Sequence, residues 1–332
     1  MFPSICVRTK NLLNVGKIHI NRTTTRFKST GDNSAREGFS AKYCANLVKQ
    51  SDYENFLCTL LLDGENRRAA FAVRALNVEI ARVGSSISEE TIGKMRLQFW
   101  NDSIEKCFEP KSSYITDQPV LKEIKLVIDK HKLTKLYLKR LIKARDRPPN
   151  LSFLTIKEME DYAEQTVSSL YYLLLEVWGV KNVNVDHAAS HLGKAQGITN
   201  LLRSIPQRGR NASVSIPQEV LMKHGVSQER ILRDKANDKG VEECIFEIAT
   251  IAHQHLEKSR SLCSQIPSHI RPLLLPAVAV DRYLNRLRIA NFRYLSPRLI
   301  LLIRQILIYL NNLFLVPLDK SQELLQRFVN VF

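Results

Sequence analysis

Apolar residues recur along this chain at intervals of three and four, the spacing that gathers them on one face of an α-helix. The clearest case is residues 157–178, where Met159, Tyr162, Ala163, Val167, Leu170, Tyr171, Leu174 and Trp178 keep that rule until Gly179 stops the helix. Similar periodicity predicts helices over 41–62 (interrupted around Ser51-Asp52), 66–83, 89–108, 120–130 and 133–144. Within 89–108, Ile92, Met95, Phe99, Ile104 and Phe108 form the expected apolar line. Further helices are expected at about 185–203, 227–233, 240–263 and 270–290. No β alternation recurs, and no period of 20–50 residues marks a repeat protein. The pattern predicts an all-α fold.

The two ends break this pattern in different ways. Residues 1–30 hold Arg8, Lys10, Lys17, Arg22, Arg26 and Lys28, no acid, many hydroxyls and no long apolar run. That composition is expected of a mitochondrial transit peptide, with a plain basic tail as the alternative. A polar stretch, 31–40, reads as a linker. At the other end, residues 296–332 include Leu299 to Leu318, as long as a membrane span but carrying Arg304, Gln305, Asn311 and Asn312. A central Arg costs about 2.5–3.5 kcal/mol on insertion scales. Arg304 and Asn311 share one stripe, which leaves a broad apolar face for a membrane surface or for the domain itself.

Charge and cysteine content refine the class. The formal charge is +16, and without the six cations of residues 1–30 it is +10. These cations are dispersed, so nucleic-acid binding is not expected; it would show as a steep salt dependence of affinity. The run Lys135 to Arg147 meets either anionic lipid or protein, or only solvent. The six cysteines are scattered without a C-x-x-C pair, as buried apolar residues of a reduced compartment would be. His187 and His191 have a spacing that can chelate zinc, but no third ligand is evident, and structural roles are expected. His255 lies on the apolar line Ile245, Ile248, Ala252 and Leu256 and reads as a satisfied core histidine. No metal or cofactor is expected.

The stretch 191–217, HLGKAQGITNLLRSIPQRGRNASVSIP, carries the most specific signal. Gly193, Ala195, Thr199, Asn200, Arg203, Arg210 and Ile216-Pro217 form a frame that resembles the second aspartate-rich motif of the squalene/phytoene synthase family. Ser204 and Arg208 stand where that family places its two aspartates. Residues 43–83 resemble the family's first block, with its outer aspartates falling at about Ala81 and Ser85; no Asp occurs between Asp63 and Asp102. Gln98-Phe99-Trp100, Tyr162 to Gly179, and Leu273 to Pro276 with Tyr283-Leu284 continue the likeness over about 41–295. The run DHAASHLGKAQGI, residues 186–198, is similar to a mitochondrial subgroup of the family whose members assist assembly of respiratory complex I.

The resemblance implies a single isoprenoid-synthase-like helical domain with a central cavity. Active members hold an allylic diphosphate through Mg²⁺ bridged to aspartates on two facing helices. With Ala81, Ser85, Ser204 and Arg208 at those positions, metal-dependent ionisation is not expected. Glu79 lies about 200° round the helix from Ala81 and does not substitute. Arg203, Arg208 and Arg210, joined by Arg67 and Arg68, are either direct contacts for an anionic headgroup or a solvated basic surface. The subgroup implies a non-catalytic assembly factor in the matrix, peripheral on the inner membrane, whose partners are complex I subunits or other assembly factors, with a lipid as a further ligand. The alternative is a protein that still binds or transfers prenyl diphosphates.

Overall fold

The computed structural model describes residues 33–62, 64–86, 90–109, 117–147, 152–205, 214–232 and 238–293. Every extended element among them is helical, as the periodicity predicts. Helix α1 (Asn33–Ser51) begins inside the stretch read as a linker. It ends at Asp52, where the interruption was expected, and α2 (Tyr53–Leu60) restarts at once. Helices α3 (Gly64–Ser86), α4 (Glu90–Cys107), α5 (Pro119–His131) and α6 (Lys135–Lys143) follow. Gln118 caps α5 by accepting from the Leu121 N–H at 2.8 Å, with Pro119 in the first turn where no N–H is needed.

The segment expected as one helix over 157–178 is three pieces. Helix α7 (Ile156–Ala163) passes into a π-helical turn (Glu164–Ser168) and then α8 (Ser169–Val177), ending at Gly179 with φ +66°. The extra residue in the π turn comes where α9 (Val183–Ser204) crosses. That crossing explains two glycines. A Cβ on Gly193 would lie 2.3 Å from Ser168 Oγ and 2.5 Å from its Cα, and one on Gly197 would lie 2.5 Å from Ala163 Cβ. Periodicity of side chains gives no sign of a backbone meeting a backbone.

Short helix α10 (Gln218–Lys223), unforeseen from the sequence, and α11 (Gln228–Leu232) lead to α12 (Lys239–Ser261). A 3₁₀ turn at Arg271–Leu274 then enters α13 (Pro276–Ile289), so the helix expected from 270 begins at Pro276. Helices α9 and α12 form the most extensively packed pair, and α1, α3 and α5 make a second group against α8. One continuous apolar core runs through both groups, from Val48, Leu76 and Ile80 to Leu174, Leu192, Ile245 and Leu256. Helix α4 keeps its expected face at Ile104 and Phe108 but departs from it earlier. Leu97, Trp100, Ile104 and Cys107 are buried, whereas Ile92, Met95 and Phe99 are exposed, because the groove between α3, α5 and α6 takes the neighbouring stripe.

Among the described residues no helix is long and apolar enough to cross a membrane. The expected transit peptide and the Leu299–Leu318 segment lie outside the described residues. Cys44, Cys58, Cys107, Cys244 and Cys263 are free and buried, and burial pushes the Cys44 and Cys58 thiols up to about 12. Such thiols are not thiolates near neutrality and act as packing groups.

Candidate functional site

Polar side chains gather in the core where the α1–α2 junction meets α3, α8, α9 and α13. Their placement follows from the local sequence. The break at Asp52 turns Asp52, Glu54 and Asn55 inward; Asn55 is buried and its amide donates to both Asp52 carboxylate oxygens at 2.9 Å. Arg203, on the last turn of α9, reaches this junction from the opposite side. Its Nη1 and Nη2 donate to Glu54 at 2.8 and 2.9 Å, a bidentate fork closed across the whole domain. The guanidinium also lies 5.7 Å above the Tyr283 ring of α13. Burial alone would lower the Arg203 pKa, but Glu54 outweighs it and holds the cation above its ordinary value. Burial pushes the Tyr283 hydroxyl up to about 12, against the nearby Arg203.

A second arginine, Arg74 of α3, is 2% exposed. Its Nε has no hydrogen-bond partner among the described residues. Asp52 provides the opposing charge: burial raises its carboxyl and Arg74 pulls it back down. Tyr171 of α8, whose hydroxyl burial also raises, donates to Gln196 Oε1 of α9 at 2.7 Å. Thr199 Oγ1 and Asn55 Oδ1 are buried without hydrogen-bond partners among the described residues. The cluster therefore sets two guanidiniums against two carboxylates of the same chain, with hydroxyl and amide groups between. Buried arginine is uncommon unless balanced by charge, and the α1–α2 junction supplies it: Glu54 forks onto Arg203, and Asp52 acts on Arg74 through the field.

The positions singled out in the sequence fall around this cluster unequally. Ala81 is exposed and offers only a methyl group, and Glu79, on the opposite face of α3, accepts from the Tyr43 hydroxyl at 3.2 Å. Ser204 donates to the Leu201 carbonyl at 2.7 Å and stands 3.5 Å from Ser215 Oγ. Such a donor set does not fit Mg²⁺, which needs carboxylate or phosphate oxygens in near-octahedral order. Ser85 lies on α3, but its side chain, like Arg208 and Arg210, is outside the described residues. Arg203 faces Glu54. Arg67 donates to the Leu62 carbonyl, and Arg68 forks onto Glu123 at 2.8 and 2.9 Å. Glu54, Asp52 and Arg74 were missed by sequence reasoning; the cue was the pair of acids in the break at residue 52.

In the run Lys135 to Arg147, Lys135 and Lys139 both pair with Glu105, Arg145 bonds Asn77, and Arg147 stacks on Phe153 at 4.1 Å. This helix face is largely engaged within the domain. His187 is exposed, whereas His191 meets His255. No group of three or more His, Cys, Asp or Glu that could hold a metal ion occurs among the described residues.

The general sequence pattern of the squalene/phytoene synthases matches residues 48–305. The chain belongs to the squalene/phytoene synthase family. Within it, the chain is 58% identical over 260 residues to the complex I assembly factor 6 homolog of Drosophila melanogaster, covering 77% of this chain and 78% of that one. It is 42% identical over 258 residues to NADH dehydrogenase (ubiquinone) complex I, assembly factor 6 of Homo sapiens, covering 77% and 76%. The fold is shared with squalene synthase HpnC from Alicyclobacillus acidocaldarius: TM-score 0.68, 17% identity, 78% of this chain and 97% of that one. A dehydrosqualene synthase solved with a ligand gives the same TM-score, covering 85% of this chain and 100% of that one. An isoprenoid-synthase fold was what the motif frame implied.

Proposed function

We propose that this family member serves in the assembly of respiratory complex I as a non-catalytic scaffold. The relatives named for that role support it, at 42–58% identity over most of the domain. The observation that carries the non-catalytic part is the Glu54 fork on Arg203. Arg203 is one of the cations that the motif frame offers to a diphosphate, and two of its donors are engaged by an internal carboxylate. Ionising an allylic diphosphate requires metal ligands and free cations where negative charge develops. Ala81 and Ser204 provide neither. The scaffold acts early on complex I subunits, in the mitochondrial matrix and peripheral to the inner membrane. The acid-free 1–30 segment would supply import, and the apolar face of 299–318 membrane contact.

Deleting the protein and resolving respiratory complexes on native gels tests this reading. Loss of mature complex I with accumulation of a subassembly is expected; unchanged complex I and intermediates would overturn it. One observation favours a second reading, a retained lipid or prenyl-diphosphate ligand. Among the described residues, the buried Arg74 Nε–H and the buried Thr199 hydroxyl have no hydrogen-bond partner, and both are donors that a bound anion would satisfy.

A further inference from the structure

Away from that cluster, three helices are joined through two imidazoles and a carboxylate. His255 of α12 sets its Nε2 2.8 Å from Glu160 Oε1 of α7, and its Nδ1 2.9 Å from His191 Nδ1 of α9. The two rings are 5.1 Å apart and tilted by 36°. The side chains of His255 and Glu160 are 14% and 23% exposed.

Proton bookkeeping limits what this chain of contacts can be. An ionised carboxylate only accepts, so His255 Nε2 carries a hydrogen. The Nδ1–Nδ1 contact is a hydrogen bond only if a single proton lies in it. Either His191 donates to a neutral His255, or a protonated His255 donates to a neutral His191. In the first case His191 can be neutral or cationic; two N–H groups are forced to face each other only when both imidazoles are cations. We propose that His191, His255 and Glu160 form a proton-linked clamp that ties α9 to α12 and α7 with one proton between the imidazoles, and that opens when a second arrives.

The surroundings favour the singly occupied clamp. His187 and Lys194 on α9 and Lys258 on α12 oppose further positive charge on His191, as does His255 itself. On α7, Glu160 is the carboxylate that His255 uses. In the π turn, Glu164 is engaged by Ser190 at 2.8 Å, by the Tyr172 hydroxyl of α8 at 2.6 Å and by Lys194 at 4.0 Å. His253 and Glu257 pair with each other at 4.0 Å on the outer side of α12. Burial, then His255, pushes the His191 pKa down to about 4, which agrees with the geometry. A histidine held below its usual 6.5 is protonated more readily in the unfolded chain than in the folded one. Its contribution to stability is therefore full above 6.5 and is lost as pH falls toward 4.

Histidine NMR of the intact protein tests the clamp directly. His191 is expected to remain neutral at pH 5.5, with one ring-nitrogen proton lying in the His191–His255 contact. His191 and His255 both cationic at pH 5.5 in the folded protein would overturn the proposal. Denaturant unfolding gives a second readout: the wild-type unfolding constant should rise by about tenfold or more between pH 7 and pH 4.5, beyond the rise seen in His191→Leu. Equal pH dependence in the two proteins would also overturn it. The NMR arm does not depend on whether the variant folds. Neither arm involves Arg203 or complex I, so failure here is distinct from failure of the assembly reading.

Discussion

The two halves of α9 meet their neighbours in opposite ways. Its first four turns are backbone against backbone: Gly193 and Gly197 admit Ser168 and Ala163 to distances that no side chain permits, and Ser259 Oγ donates to the Ala188 carbonyl at 2.8 Å. Its last turn is charge against charge, with Arg203 forked onto Glu54, 149 residues earlier in the chain. Both halves belong to the family's motif frame. Steric demand explains why glycine stands in the first half, whatever the protein does. The second half is where the family's chemistry would begin, and there the arginine meets an internal acid and Ser204 turns to its own backbone. A scaffold can keep its packing while the groups facing a ligand change partners.

Three substitutions sharpen this contrast, each read by chemical denaturation. The largest effect is expected from Glu54→Ala, which leaves the part-buried Arg203 guanidinium without its carboxylate, at a cost of about 2–3 kcal/mol. The double variant Glu54→Leu with Arg203→Met should recover most of that loss, because no charge is then stranded. Strict additivity of the two single losses would show that the fork is not the reason these residues are there. Gly193→Ala comes next, at about 1–3 kcal/mol, since Ser168 offers its Cα as well as its hydroxyl at the clash and a backbone atom cannot swing away. Tolerance of alanine would mean that the crossing is looser than 2.5 Å to that Cα implies. The smallest is Asn182→Ala, at about 1 kcal/mol. It removes the cap whose side-chain oxygen accepts from Asn184 N at 2.9 Å and Val185 N at 3.4 Å.

The helices and their order were legible because burial of one face imposes a period of 3.6 that any chain must display. What lay beyond was tertiary. Helix α4 carries two adjacent apolar stripes that meet at Ile104, and only the shape of its groove selects Leu97 and Trp100 over Ile92, Met95 and Phe99. The π turn at 164–168 answers the close approach of α9, so the continuous periodicity of 157–178 conceals it. His255 was readable as a satisfied core histidine, but its partners come from α7 and α9 and share no spacing with it. Within the candidate site, Arg203 could be named from the motif frame. Glu54 could not, because an acid in a helix break becomes a partner only when the domain closes. Arg208 and Arg210, read as either anion contacts or a solvated basic surface, lie outside the described residues.

The proposed scaffold keeps the family fold without the family's ionisation chemistry. The most direct measurement is incubation of the purified protein with farnesyl or geranylgeranyl diphosphate and Mg²⁺, following release of pyrophosphate. The account predicts no release above that of the diphosphate alone. Sustained, protein-dependent release would contradict it.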